Sequence, residues 1–128
     1  MAASSVRAVL FVKDLGAATA FYIGALSLTR VAGDTDHAIL ECDGFELVVH
    51  QIPKPIAETI VITSPPVRRV WGALRLDFPV ASIADARGLA RSLGGDVDDA
   101  PPPWAARDAG FFFGYDPEGN QFGVSQRT

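Results

Sequence analysis

The run Tyr115-Asp116-Pro117-Glu118-Gly119-Asn120-Gln121-Phe122-Gly123-Val124 sets two β-prone segments around a turn. Phe111, Phe112 and Phe113 precede it, and behind it Phe122 and Val124 alternate with small or polar residues. Pro117 presets φ for a turn, and Gly119 takes a positive φ without steric cost. Aromatic and β-branched residues on both sides of such a turn predict a β-hairpin.

Upstream of the hairpin the chain repeats itself. Val6 to Val12 reads as a strand, and so does Leu74 to Val80. Each leads into a helix through a capping residue, Asp14 in one case and Ser82 in the other, whose side-chain oxygen accepts a free N–H of the first turn. Asp85, three residues after Ser82, makes a capping-box-like pair with it. Asp14 and Ser82 stand 68 positions apart, as do Arg7 and Arg75. The same offset carries Leu26-Ser27 onto Gly94-Gly95, a typical helix stop. One offset shared by strand, cap and helix end predicts two copies of one supersecondary unit.

Each copy continues in short strands. The first has Leu28 to Ala32, His37 to Cys42 and Phe45 to Gln51, with Asp43-Gly44 as the turn of a tight hairpin. The second has Asp96 to Asp99, Gly110 to Tyr115 and Gln121 to Gln126. The predicted fold is α+β, with two tandem β-α-β-β-β modules. The 128 residues suit one domain: module one about 5–52, a linker about 53–72 and module two about 73–127. Such a sheet buries one face on its helix and leaves the other to curl toward the second module.

Asp116-Pro117-Glu118-Gly119-Asn120 before a strand resembles the closing signature of the vicinal oxygen chelate superfamily, which includes glyoxalase I, extradiol dioxygenases and bleomycin-resistance proteins. Val12-Lys13-Asp14-Leu15 followed by Phe21-Tyr22 resembles its opening signature. The two motifs bracket nearly the whole chain. The resemblance implies an open, cupped barrel whose concave face holds an active or binding site. It also implies a homodimer in which the partner often completes the cup; the apolar Ile60-Val61-Ile62 and Trp71 are candidate contacts.

Bulk properties narrow the function. Hydrophobic residues at 48% and charged residues at 20% suit a soluble globular core. The net charge of −4, with cations not gathered in a stripe, argues against nucleic acid. Met1-Ala2-Ala3-Ser4-Ser5 lacks the basic and apolar regions of a secretory signal, and no apolar run is long enough to span a bilayer. A cytoplasmic location without membrane association is expected. Cys42 is the one cysteine, set in an apolar strand pattern that suits a buried structural thiol. Of the cations nine are Arg, a residue suited to bidentate pairing, although a codon bias accounts for the excess as well.

Two irregular stretches interrupt the modules. Pro53 to Gly72 contains four prolines, Arg68, Arg69 and Trp71; Ala100 to Ala109 contains Pro101-Pro102-Pro103 and Trp104. A long loop usually covers a site or an interface, and a large ring needs a surface to cover. One of the two is a candidate lid.

Strand alternation assigns the faces. Leu74, Leu76, Phe78 and Val80 form the helix-facing set, which turns Arg75, Asp77 and Pro79 to the cup. The repeat places Arg7, Val9 and Phe11 likewise. Phe45, Leu47 and Val49 pack, so Glu46, Val48 and His50 point into the cup; Phe122 and Val124 pack, which leaves Gln121, Gly123 and Ser125 there.

Metal-dependent members of the superfamily hold a divalent cation with His, Gln or Glu, one from each of four strands. The positions here that resemble the first-strand ligands are Arg7 and Arg75, and the last-strand position resembles Gly123. Arginine has no lone pair to give and glycine no side chain. Only Glu46 or His50 remains, and one ligand does not make a site. No metal and no cofactor are therefore expected, and lyase, isomerase and dioxygenase chemistry loses its usual residues.

The chain has two histidines. His37, after Asp34-Thr35-Asp36, is expected as an exposed turn residue; His50 is the best catalytic candidate, either an acid or base near neutral pH or a satisfied strand-end residue. Arg7 and Arg75 suit an anionic ligand held bidentately, or internal pairs with Asp77, Glu46 or Glu41. The expected function is metal-independent binding of a small molecule, partly aromatic and acidic, as in bleomycin-resistance proteins. Its expected ligand-binding residues are Arg7, Phe11, Glu46, His50, Arg75, Asp77, Trp104, Phe113, Tyr115 and Gln121. The alternative is a glyoxalase- or dioxygenase-like enzyme with an atypical site.

Overall fold

The computed structural model describes residues 6–105 and 110–127. The N-terminal residues 1–5, where module one was expected to begin, and the end of the Ala100 to Ala109 stretch lie outside the described residues. The first unit comprises β1 (Arg7–Val12), α1 (Leu15–Gly24), β2 (Thr29–Gly33), β3 (His37–Cys42) and β4 (Phe45–Gln51). A short helix, α2 (Lys54–Ala57), follows. The second unit comprises β5 (Asp77–Val80), α3 (Ile83–Ser92), β6 (Asp96–Val97), β7 (Phe111–Tyr115) and β8 (Gln121–Gln126).

The units share one topology. Their sheets run β1-β4-β3-β2 and β5-β8-β7-β6, and the two are not closed into a barrel. In each, the first strand pairs parallel with the last, and the other pairs are antiparallel. The caps act as their residue types dictate. Asp14 Oδ1 accepts from the Ala17 N–H at 3.0 Å and Ser82 Oγ from the Asp85 N–H at 3.1 Å. Among the described residues Asp85 returns no bond to Ser82, so the capping box is half made. Both helices begin and end 68 positions apart, residues 15 and 24 against 83 and 92.

The first strand of the second unit is shorter than its counterpart. Pairing was expected from Leu74, yet β5 starts at Asp77. Leu76 O still accepts from the Gly123 N–H, but the neighbouring edge of β8 is taken by Arg69, whose N–H bonds Gly119 O at 2.8 Å and which bridges to Asn120. With that edge filled, residues 70–76 loop outward and Leu74 is 70% exposed instead of packed. β6 has two residues rather than four. α2 replaces part of the expected irregular linker because Pro53 and Pro55 preset helical entry.

One core serves both units. Val12, Phe21, Leu26, Leu40, Leu47 and Val49 from the first join Phe78, Val80, Val97, Phe122 and Val124 from the second. The Phe21 ring lies 5.8 Å from Phe122 and the Tyr22 ring 5.9 Å from Phe78. The two sequence signatures meet here. Asp116, fully buried, accepts from the Tyr22 hydroxyl (2.7 Å), the Glu118 N–H (2.9 Å) and the Asn120 N–H (3.0 Å). Glu118 accepts from the Lys13 and Asp14 N–H groups, each at 2.8 Å. The turn thus clasps the start of α1. Gly119 sits at φ 86°, where any Cβ would also meet the Val67 carbonyl. Among the described residues no helix is long and apolar enough to cross a membrane.

Candidate functional site

The second face of each sheet is left open. Leu47, Val49, Phe78, Val80, Phe122 and Val124 are buried against the helices, and Val9 and Phe11 are 49% and 60% exposed. Val48 is buried on the open face, because the register sets it between Val9 and Ile39.

On the first sheet, β1–β4 pairing brings Arg7 beside Glu46 and Phe11 beside His50. Arg7 Nε donates to Glu46 Oε1 at 3.1 Å, and Nη2 donates to the same oxygen. The Phe11 and His50 rings lie 5.6 Å apart. His37 is not an exposed turn residue: it opens β3, is half-buried, and stacks on His50 at 6.1 Å with 17° between the rings. The Nδ1 atoms of both histidines are engaged, His50 with Gln51 O and His37 with Asp34 Oδ1, each at 2.9 Å. Donation from Nδ1 leaves Nε2 of His50 with its lone pair. The Asp34 carboxyl is held below its usual range, chiefly by the Asp36 N–H and also by the bonds to His37.

On the second sheet, Phe111, Phe113 and Tyr115 alternate onto the open face opposite Ser125, Gly123 and Gln121. Trp104 closes on this row, 5.5 Å from Phe111 and 5.9 Å from Phe113, with 66% of its surface exposed. The Arg75 guanidinium lies over both phenylalanines, 5.5 and 5.1 Å from their centroids. It also binds Asp77 bidentately at 2.8 and 2.9 Å, which raises its pKa above the ordinary arginine value. Arg68, from the linker, binds Asp98 bidentately at 2.8 and 2.9 Å, donates to Gln121 Oε1 at 2.7 Å and covers Tyr115 at 5.5 Å. Both irregular stretches therefore lie over this face, one through Arg68 and the other through Trp104.

The ten residues expected at the site fall into two groups. Arg7, Phe11, Glu46 and His50 belong to the first sheet; Arg75, Asp77, Trp104, Phe113, Tyr115 and Gln121 belong to the second. Among the described residues no hydrogen bond, ion pair or ring contact joins the groups. The symmetry expected between Arg7 and Arg75 is also broken. The residue on Gln121 is Arg68, as Arg7 is on Glu46, because β5 starts only at Asp77 and leaves Arg75 outside the pairing.

Sequence reasoning passed over His37, Arg68, Asp98 and Phe111. His37 was legible: a two-residue turn at Asp43-Gly44 pairs Cys42 with Phe45, and that register continued puts His37 opposite His50. Nothing in the linker composition pointed to Asp98 as the partner of Arg68.

The side chains do not fit the superfamily's metal centre. Arg7 and Arg75 are paired with carboxylates, and at Gly123 even a Cβ would meet Asp77 Oδ1 and lie 2.6 and 2.7 Å from the Phe111 ring. Among the described residues no three His, Cys, Asp or Glu side chains gather as ligands.

Two βαβββ units around one core, with aromatic and charged open faces, define a glyoxalase-type fold. A model of the glyoxalase-like domain matches residues 7–125, and the chain belongs to that family. Among solved structures it is similar to a glyoxalase-related enzyme from Fulvimarina pelagi, at 20% identity and TM-score 0.66, covering 97% of this chain and 88% of that one. A glyoxalase/bleomycin resistance protein from Albidiferax ferrireducens matches at 20% identity and TM-score 0.64, covering 96% and 98%. The fosfomycin resistance protein FosX from Listeria monocytogenes matches at 17% identity and TM-score 0.63, covering 100% and 94%. Comparison with curated proteins returns no match.

Proposed function

We propose that the protein is a metal-independent small-molecule binder of the bleomycin-resistance type, which takes a ligand with an aromatic or conjugated part and an acidic group. The observation that carries this reading is the exposed Trp104 ring packed beside buried Phe111 and half-buried Phe113, with the Arg75 guanidinium over both phenylalanines. A planar ligand has aromatic surface to stack on, and its acid has a cation whose Nη1 has no partner among the described residues. On the first sheet Arg7 is paired with Glu46, and the Phe11 and His50 rings lie against each other further along the same face. Sites of this kind are mostly apolar with a few convergent polar groups.

The glyoxalase and bleomycin-resistance neighbours support a small-molecule role. We extend the reading to a cytoplasmic homodimer, with modules of about residues 5–52 and 73–127 joined by 53–72. Val61 and Trp71, exposed by 85% and 96%, are the apolar residues a second copy would cover.

A thermal-shift screen of aromatic acids on wild type, Arg7→Ala and Arg75→Ala tests the assignment. Loss of the arginine that pairs with the ligand weakens binding by about 2–5 kcal/mol. Asp77→Asn, which releases Arg75, strengthens binding if Arg75 is that residue. Hits that stabilise wild type and both arginine variants equally exclude this placement.

One observation favours a second reading, an enzyme with an atypical site: the His50 ring is oriented by Gln51 O, stacked on His37 and without a partner at Nε2 among the described residues. A ligand that is converted over time by wild type and left intact by His50→Ala would establish it.

A further inference from the structure

We propose that the cleft between the two units is a second binding site, for a small amphipathic monocarboxylate, with Arg69 as the group that holds the acid. The cleft encloses about 240 Å³. Its walls are Ala8, Leu10, Leu47, Leu74, Leu76 and Phe78, drawn from both sheets and from the loop that leads into β5. The polar side chains that reach it are mostly engaged. The Tyr22 hydroxyl and Asn120 Nδ2 bind Asp116, and Gln121 Oε1 accepts from Arg68.

Arg69 is different. Its backbone is fixed on the Gly119 carbonyl and bridged to Asn120, which places its side chain at the cleft. Yet of the described arginines it alone makes no side-chain hydrogen bond or ion pair. Arg7, Arg68, Arg75, Arg87, Arg91 and Arg127 each meet a carboxylate, and Arg30 donates to the Asp34 carbonyl. In a chain with an excess of acids, an unpaired guanidinium beside an apolar cleft matches an anion delivered on an apolar body. The Gln121 amide nitrogen, without a partner among the described residues, adds a second donor from the cleft wall.

The cleft shares Gln121 with the edge of the second sheet's open face, but neither Arg75 nor Trp104, which carry the open-face reading, lines it. The volume suits a short aliphatic or single-ring chain rather than a drug-sized ligand.

Isothermal titration with octanoate and with neutral octanamide tests the proposal on wild type, Arg69→Gln, Ala73→Trp and Arg75→Ala. Arg69 and Ala73 are exposed, so both variants are expected to fold, and circular dichroism checks this. Wild type is expected to prefer octanoate by about tenfold or more, and Arg69→Gln to lose that preference while octanamide binding is unchanged. Ala73→Trp, which adds bulk at the cleft wall, weakens both ligands; Arg75→Ala weakens neither. The proposal is overturned if octanoate gives no heat with wild type, or if it binds Arg69→Gln and Ala73→Trp as tightly as wild type. Loss in Arg75→Ala alone also overturns it, and moves the acid to the open face of the second sheet. Aromatic acids unaffected by Arg75→Ala would count against the open-face reading and leave the cleft assignment standing.

Discussion

The Tyr22 hydroxyl donates to Asp116 Oδ2 at 2.7 Å, across 94 residues and inside the core shared by the two units. Burial first, and then the Asp116 charge, push the Tyr22 pKa well above its usual 10.0. A tyrosine whose folded pKa is raised contributes its stability fully below pH 10 and loses it as pH climbs toward the folded value. Tyr22→Phe is expected to unfold more easily at neutral pH, by about 1–3 kcal/mol, because Asp116 loses a donor. Its stability should also fall less steeply above pH 10 than that of wild type. Urea denaturation at a series of pH values checks both, and parallel alkaline slopes would refute the linkage.

Glu118, buried like Asp116, acts on the same joint. Its carboxylate takes two N–H groups at the entrance to α1, so Glu118→Ala strands both donors. The expected loss is about 1.5–3 kcal/mol, with Glu118→Gln in between. An unchanged midpoint in chemical denaturation would show that water replaces the carboxylate fully.

Gly123 marks where the second sheet is tightest. Gly123→Ala drives a Cβ into the Asp77 carboxylate and the Phe111 ring, at about 1–3 kcal/mol for overpacking. Because Asp77 holds Arg75, the same variant disturbs the aromatic row. A crystal structure of Gly123→Ala with the Arg75–Asp77 pair undisturbed would contradict this.

The two tryptophans allow an optical test of the open face. Trp71 is almost fully exposed, and Trp104 rests on Phe111 and Phe113. In Trp71→Phe the remaining emission comes from Trp104, and an aromatic acid that stacks on the row should change its intensity in proportion to occupancy. Binding by calorimetry without any change in Trp104 emission would place the ligand elsewhere.

Much of this architecture was legible in the residues because it rests on short-range physics. Asp14 and Ser82 cap helices wherever they precede a helical turn, the alternation of Leu47 and Val49 or Phe122 and Val124 selects a buried face, and Asp43-Gly44 sets the β3–β4 register. These signals depend on neighbours a few positions away, and the 68-residue offset repeated the caps and the helix ends. The open face of each strand followed from the same period of two.

Tertiary structure decided which charges meet. Arg75 was expected to mirror Arg7, but β5 is cut short by Arg69 on the edge of β8, so Arg68 takes Gln121 and Arg75 turns to Asp77. That outcome is a competition between chain segments for one strand edge, separated by up to 53 residues, and no local propensity encodes its winner. The role of the Asp-Pro-Glu-Gly-Asn turn was settled in the same way. As sequence it is a hairpin turn; folded, its Asp116 and Glu118 find Tyr22, Lys13 and Asp14 about a hundred residues away, because burying these carboxylates takes more donors than the turn's own N–H groups supply.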